Sequence, residues 1–404
     1  ELIKKISNLQ KDNDLSSSYD IKKLNIPEKY SKNRSFNEVQ DLAIKAAEEK
    51  KYSLILSMAT GTGKTITSIK IIEKFLKVNS DFLFIILCPN NILVNQWEDD
   101  LRECGVVPRS YPSSDEKSRA QISDFLDDYE NDTEYLIMNH RVLSTDKMIL
   151  KKLLKLKDNI FIIVDEVHRI FSLINSFKDI KSSFFDHINY KIGLTATPEK
   201  RYKPNEILND MEDVDINNFF GKDSLVDIVN LNQAIYKYKI LCPYDYYLIN
   251  FEMTLDESND IFEIYKKALK NHSSDKDEES ISKENSLVFV LTQQLNGIES
   301  KINVLRHFMD KDFCENINSS KDTSIFFISP QHTELLEKHF IKNSIPASKI
   351  TMETNEKKRM DILDNLKQKR INAVIAYTIL DEGINIPNIN NAFFTEQYRE
   401  PRQG

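Results

Sequence analysis

Glycine is scarce in this sequence, with 8 residues in a chain of 404, about 2% where globular proteins carry ~7%. The scarcity excludes collagen-like, Gly-linker and most turn-dense small-β designs, and it makes every glycine that is kept informative. Cysteine is sparse as well. Cys88, Cys104, Cys242 and Cys314 stand far apart and form no C-x-x-C pair. Neither a disulfide framework nor a zinc site is therefore expected, which fits a reducing, cytoplasmic setting. No run of about 18 apolar residues occurs, so no membrane span is expected, and the start shows no secretory pattern. The charge balance, 55 basic against 63 acidic residues for a net −8, argues against a binder held to nucleic acid by bulk charge. It leaves room for an enzyme with one local basic groove.

What is present is a globular composition, 40% hydrophobic and 29% charged, in a length that suits two or three domains. Short apolar runs read as buried strands: Leu54 to Leu56, Phe82 to Leu87, Tyr135 to Met138, Ile160 to Val164 and Lys191 to Leu194. Between the first two, Lys64 to Lys77 places Ile66, Ile69, Ile72 and Leu76 at helical spacing. Strands alternating with helices predict a doubly wound α/β sheet over about 28–225. A second such group covers about 317–404. Ser324 to Ser329, Ala373 to Tyr377 and Ala392 to Phe394 are its strands, and Thr333 to Asn343 and Glu356 to Lys369 its helices. The stretch 255–315 is helical and polar, with a loop expected at His272 to Asn285. Residues 1–27 are given no fold.

Two local patterns carry chemistry. Met58-Ala59-Thr60-Gly61-Thr62-Gly63-Lys64-Thr65 follows a predicted strand and opens a helix, the context in which a Gly-rich loop cradles phosphates. Gly61 and Gly63 would let backbone N–H groups approach a β-phosphate, with the helix N-terminus adding positive charge. Lys64 would reach the β- and γ-phosphates, and Thr65 would offer its hydroxyl to Mg²⁺. Met58 stands where the strict pattern has glycine. About 100 residues later, Phe161 to Val164 runs into Asp165-Glu166-Val167-His168, which sets two carboxylates at the carboxyl end of a buried strand, where α/β sheets bind ligands. Asp165 is suited to hold Mg²⁺, and Glu166 to accept a proton from an attacking water. Together they predict an ATP hydrolase.

Further segments follow in order. They are Gln40 upstream of the loop, Cys88-Pro89-Asn90 through Gln96-Trp97, and Gly193-Leu194-Thr195-Ala196-Thr197-Pro198. Then come Phe219-Phe220-Gly221, Leu231 to Ile235, Leu241 to Tyr244, and Tyr377 to Pro387. With these, the sequence resembles superfamily 2 helicases and translocases of the branch with an Asp-Glu-x-His box, over about 35–404. The connection near 219–244 is similar to that of restriction-enzyme motor subunits and DNA-repair helicases. The resemblance implies an α/β fold of two tandem RecA-like doubly wound parallel-sheet lobes with an ATP cleft between them and a helical insertion in the second half. Lobe 1 is expected at 28–225, the connection and insertion at 226–316, and a truncated lobe 2 at 317–404, after an N-terminal extension at 1–27.

The same resemblance implies that Gln40 reads adenine and that Thr60, Thr62 and Gly383 join Gly61, Gly63, Lys64 and Thr65 around ATP and Mg²⁺. It also implies that His168, Thr195 and Thr197 couple the nucleotide to lobe movement. Pro89, Asn90, Gln96, Asn139, His140, Ser329 and Thr378 become candidate nucleic-acid contacts. Asn385 stands where the family usually has aspartate. Gly193, Gly221 and Gly383 fall within these motifs, whereas Gly105 and Gly297 acquire no role. Trp97 either stacks on a base or packs between helix and sheet, the second being the commoner use of such a residue. Lys147, Lys151, Lys152, Lys155 and Lys157 read as a solvated basic face rather than a DNA contact.

Tyr398 to Gly404 resembles the approach to the last helicase motif. The protein is thus expected to continue past 404, and residues 1–404 alone to turn over ATP weakly. The function expected is ATP-driven movement along nucleic acid, DNA and double-stranded by preference. Two alternatives stand beside it: an ATP-dependent nucleic-acid sensor, and the motor subunit of a restriction or antiviral defence complex. No nuclease constellation is found in the sequence, so a nuclease partner would lie on another chain or beyond Gly404.

Overall fold

Alternating apolar strands and amphipathic helices build two compact units, Glu1–Asp245 and Tyr246–Gly404. The computed structural model describes residues 24–169, 182–196, 220–221, 223–271, 295–309, 322–351, 353–376 and 389–395. The strands of the first unit are β1 (Ser53–Met58), β2 (Leu83–Cys88), β3 (Arg109–Tyr111), β4 (Glu134–Asn139), β5 (Ile160–Val164), β6 (Tyr190–Thr195) and β7 (Leu225–Val229). Its helices are α1 (Arg34–Glu49), α2 (Lys64–Leu76), α3 (Asn91–Glu103), α4 (Glu116–Asp127), α5 (His140–Thr145), α6 (Lys147–Lys155) and α7 (Ser182–Asp186). The sheet is seven-stranded, in the order β3-β4-β2-β5-β6-β1-β7. Every pairing in it is parallel.

Side-chain alternation on these strands feeds two cores. Leu54, Leu56, Phe84, Ile86, Phe161 and Ile163 point to one face, where α1, α2 and α3 pack through Val39, Ala43, Ile69, Ile72, Val94 and Trp97. Ile55, Leu83, Ile85, Ile160, Ile162 and Val164 point to the other, against Ile122 and Phe125 of α4 and Ile149 and Leu153 of α6. The strands are therefore apolar at consecutive positions because both faces are covered. Helix ends follow ordinary capping chemistry: the Asn33 side chain accepts from the Ser35 and Phe36 amides, and Asp115 from the Ser118 amide.

The second unit contains α8 (Leu255–Asn271), α9 (Glu299–Phe308), β8 (Ser324–Phe327), α10 (Pro330–Lys342), β9 (Ala347–Ile350), α11 (Glu356–Lys367), β10 (Ala373–Ala376) and β11 (Asn391–Phe394). Its parallel sheet has the order β11-β8-β10-β9. Leu336 and Phe340 of α10 cover one face and Ile362, Leu363 and Leu366 of α11 the other.

Several boundaries differ from expectation. β7 pairs with β1, and Ala234 and Tyr238 join the first core, so the first unit runs past 225. Ile302 and Leu305 of α9 pack with Phe326 and Phe340, which makes α9 part of the second unit's core instead of a separate insertion. The short strands β3, β7 and β9 were not foreseen; β3 is 3 residues long and β9 only partly buried, which leaves little pattern to read. The loop expected at His272 to Asn285 lies outside the described residues.

Gly105, without a role in the sequence, ends α3. It adopts φ 83°; its amide donates to the Arg102 carbonyl and the Val106 amide to that of Leu101. This pattern calls for a left-handed residue after the helix cap. Gly193 is kept for space. A Cβ there would lie 3.0 Å from Val167 Cγ2, 3.1 Å from Ile55 Cγ1 and 3.2 Å from Phe220 Cζ. Gly193→Ala is expected to destabilise the protein by about 1–3 kcal/mol, the usual cost of overpacking a core. Urea denaturation measures this, and an unchanged midpoint would contradict the crowding.

Candidate functional site

Because all seven strands run the same way, their carboxyl ends share one edge. β5, β6 and β1 are adjacent there, with Val164 beside Gly193 and Thr195 beside Ser57. Asp165 and Glu166 leave β5, Thr195 closes β6 and the glycine loop leaves β1. The sheet order thus brings together segments that lie far apart in the chain.

The loop is held from below. The Ala59 amide donates to the Val229 carbonyl, and the Thr62 hydroxyl turns inward to the Ala59 carbonyl at 2.6 Å. Thr62 therefore shapes the loop by its side chain, while Thr60 and Gly61 face outward. Gly63, at φ 85°, is the residue before α2, and no side chain caps that helix. A side chain in this left-handed conformation would be strained, and the uncapped helix start is a ready anion site. Leu241 packs close over Gly61.

Lys64 and Glu166 form an ion pair of 3.7 Å, both largely shielded from solvent. Glu166 itself takes φ 44°, an uncommon conformation for a residue with a side chain and one that gathers at functional positions. His168 Nδ1 lies 3.6 Å from the other Glu166 oxygen and 3.4 Å from the Thr195 hydroxyl. Lys64, Glu166, His168 and Thr195 thus form one contiguous polar chain.

Asp165 is buried, at 5% exposure. Its Oδ2 accepts from the Trp97 indole N–H at 2.9 Å and its Oδ1 from the Glu166 amide at 3.0 Å. Burial pushes its carboxyl up to about 6, Glu166 pushes the same way, and the Trp97 hydrogen bond, Lys64 and the Glu166 amide oppose them. Cys88, fully enclosed beside it, has its thiol raised well above the usual range by burial first and by Asp165 second. It is a core residue and not a nucleophile.

Gln40 is buried next to the loop. Its Nε2 would be 3.3 Å from a Cβ on Gly63, and its Oε1 accepts from Lys70 Nζ at 2.6 Å. Lys70 also donates to Asn37 and to the Tyr30 carbonyl, so the glutamine is fixed from the side away from the loop. Neither Lys70 nor the partner of Trp97 was foreseen. The i to i+30 and i to i+68 spacings of these bonds leave no local pattern.

Four of the nucleic-acid candidates, Pro89, Asn90, Asn139 and His140, fall at the ends of the neighbouring strands β2 and β4, with Gln96 on α3 and Ser329 in the second unit, and they differ in accessibility. Pro89, Asn90 and Gln96 are partly exposed, with Asn90 Oδ1 capping α3 at the Leu93 amide. Asn139 and His140 are buried. Asn139 accepts from the Arg141 amide, and His140 Nε2 donates to the Leu87 carbonyl at 3.0 Å. Burial lowers the His140 ring to about 3, so it stays neutral. Ser329 in the second unit is likewise buried against His332. These three side chains are used inward, to close strand–helix junctions. Lys152 bonds to Ser123 and Asp127 on α4, which removes it from the basic face. Thr197, Thr378 and Gly383 lie outside the described residues.

Thr65 and Asp165 supply hard oxygen donors, and among the described residues no cluster of three His, Cys, Asp or Glu could cage a metal. This donor set fits Mg²⁺, which keeps waters and takes phosphate oxygens as further ligands.

Fold and site together define the class: tandem RecA-like α/β domains of the helicase kind. Residues 30–200 match the family model of the type III restriction enzyme res subunit, and residues 300–402 that of the helicase conserved C-terminal domain. The chain is a superfamily 2 helicase-like protein, at family level an ATP-dependent helicase or translocase. Among solved structures, the helicase domain of Pyrococcus furiosus Hef shares the fold at TM-score 0.56 and 14% identity, covering 93% of this chain and 92% of that one. The Sulfolobus solfataricus SWI2/SNF2 ATPase core in complex with dsDNA aligns at TM-score 0.35 and 15% identity, over 89% of this chain and 80% of that one. A comparison with curated proteins returns no match. No helix among the described residues is long and apolar enough to cross a membrane.

Proposed function

We propose that the chain hydrolyses ATP at the first unit and couples this to movement along double-stranded DNA. The observation that carries the reading is the meeting of Lys64 and Glu166 at 3.7 Å between the uncapped start of α2 and the acidic end of β5. Phosphates would lie on the amides of the Gly61–Lys64 loop, with Lys64 on the outer phosphates. Thr65 and Asp165 would hold Mg²⁺, whose chemistry is to neutralise charge on the phosphate oxygens. Glu166 would orient the attacking water and accept its proton. His168 and Thr195, in contact with each other and with Glu166, would pass the state of the phosphates onward. Gln40, steadied by Lys70, would read the base. Pro89, Asn90 and Gln96 would meet the DNA backbone, where amides and short polar side chains position a strand without reading sequence.

The match of residues 30–200 to a restriction-enzyme subunit supports DNA as the track. It also favours a second reading, a motor subunit that serves a nuclease or other effector on another polypeptide in a restriction or defence complex. A sensor that hydrolyses ATP on nucleic acid without displacing anything would share the same site. The test is ATP hydrolysis titrated with matched single- and double-stranded DNA and RNA, followed by triplex displacement. Duplex DNA should stimulate turnover several-fold over the other three. Equal stimulation by all four would remove the assignment to DNA, and stimulation without displacement would favour the sensor.

A further inference from the structure

We propose that Trp97 is a positioning residue for Asp165, its indole N–H setting the carboxylate that holds the magnesium ion of the nucleotide. The inference rests on the nucleotide reading above and deepens it. Trp97 is the chain's single tryptophan, 1% exposed on α3. A buried indole N–H needs an acceptor, and here the acceptor is Oδ2 of a buried carboxylate 68 residues away, at 2.9 Å. The other oxygen is held by the Glu166 amide. One donor on each oxygen, from two different elements, fixes both the tilt and the plane of the carboxylate, while each oxygen keeps a further lone pair for other partners. Leu93, Val94 and Leu101 fill the rest of the buried face of α3, so phenylalanine would suffice for packing alone. Only the indole supplies a donor.

α3 is also capped by Asn90 and carries Gln96 next to Trp97. The bond therefore joins the helix proposed to meet DNA rigidly to the carboxylate proposed to hold the metal.

The test is calorimetric titration of Mg²⁺ into the chain saturated with ADP, for the wild type and Trp97→Phe, with ADP affinity measured separately without metal. Trp97→Phe should weaken Mg²⁺ about 10–100-fold, the usual effect of removing a hydrogen bond behind a metal ligand, and leave metal-free ADP binding unchanged. Mg²⁺ affinity within twofold of the wild type would overturn the proposal and reduce Trp97 to packing. Should Trp97→Phe fail to fold, the wild-type indole decides. Its emission should change with added Mg²⁺ at the calorimetric midpoint and lose that response in Asp165→Asn, and a silent indole would overturn the proposal. A wild-type chain that binds no ADP would instead remove the nucleotide reading, and this inference with it.

Discussion

Lys64→Ala is expected to lower ATP turnover by about 10²–10³-fold, the range for removing one preorganised charged donor from a transition state. It should also weaken nucleotide binding. The structure gives two reasons. Lys64 is the first residue of α2, directly after the left-handed Gly63, so its ammonium adds to the positive end of the helix where phosphates would sit. It is also the cation that faces Glu166 at 3.7 Å in a largely enclosed site, and its loss leaves two neighbouring carboxylates, Asp165 and Glu166, without that counter-charge. Burial and Glu166 already push the Asp165 carboxyl up, and Lys64 is among the groups that oppose them. Steady-state hydrolysis and fluorescent-nucleotide binding, each compared with the unaltered chain, measure the two effects. Wild-type values in both assays would refute the assignment of this loop.

Glu166→Gln should separate the two properties that Lys64→Ala removes together. Glutamine keeps the size of the side chain and abolishes its ability to accept a proton. Turnover should therefore fall by about 10²–10⁴-fold, the contribution typical of a general base, while nucleotide affinity stays within a few-fold of the wild type. Retention of binding is expected because the groups proposed to cradle phosphate, the loop amides and Lys64, lie on α2 and its loop and not on β5. The backbone at Glu166, at φ 44°, places the side chain between Lys64 and His168, and the substitution leaves that backbone unchanged. Equal turnover by Glu166→Gln and the wild type would show that some other group activates the water.

Much of this was legible in the sequence because the physics is local. Ile160 to Val164 is an unbroken apolar run because both faces of the sheet are covered, and it was read to its observed ends. Gly61, Gly63 and Lys64 stand out because the turn into α2 uses left-handed glycines just before the helix start, the pattern that a loop proposed to hold phosphate requires. Gly193 stood out in a glycine-poor chain, although its reason is the crowding by Val167, Ile55 and Phe220 and not only its place before Thr195. Asn139, His140 and Ser329 show what a local pattern leaves open. Polar residues at strand–helix junctions look alike in sequence whether they face a ligand or cap a helix, and here they turn inward.

The α/β character, the glycine-rich loop before a helix and the acidic strand end are readable from the residues alone, since each depends on positions close to one another in the chain. Which of those segments meet is set by the three-dimensional fold. The order β5-β6-β1 sets Glu166 against Lys64 and Thr195 against His168, and the packing of α3 and α2 delivers Trp97 to Asp165 and Lys70 to Gln40. Hydrogen bonds and ion pairs form between whatever groups folding brings within reach, and across 27 to 102 residues of chain that proximity is a property of the sheet order and helix packing, with no trace in the local pattern.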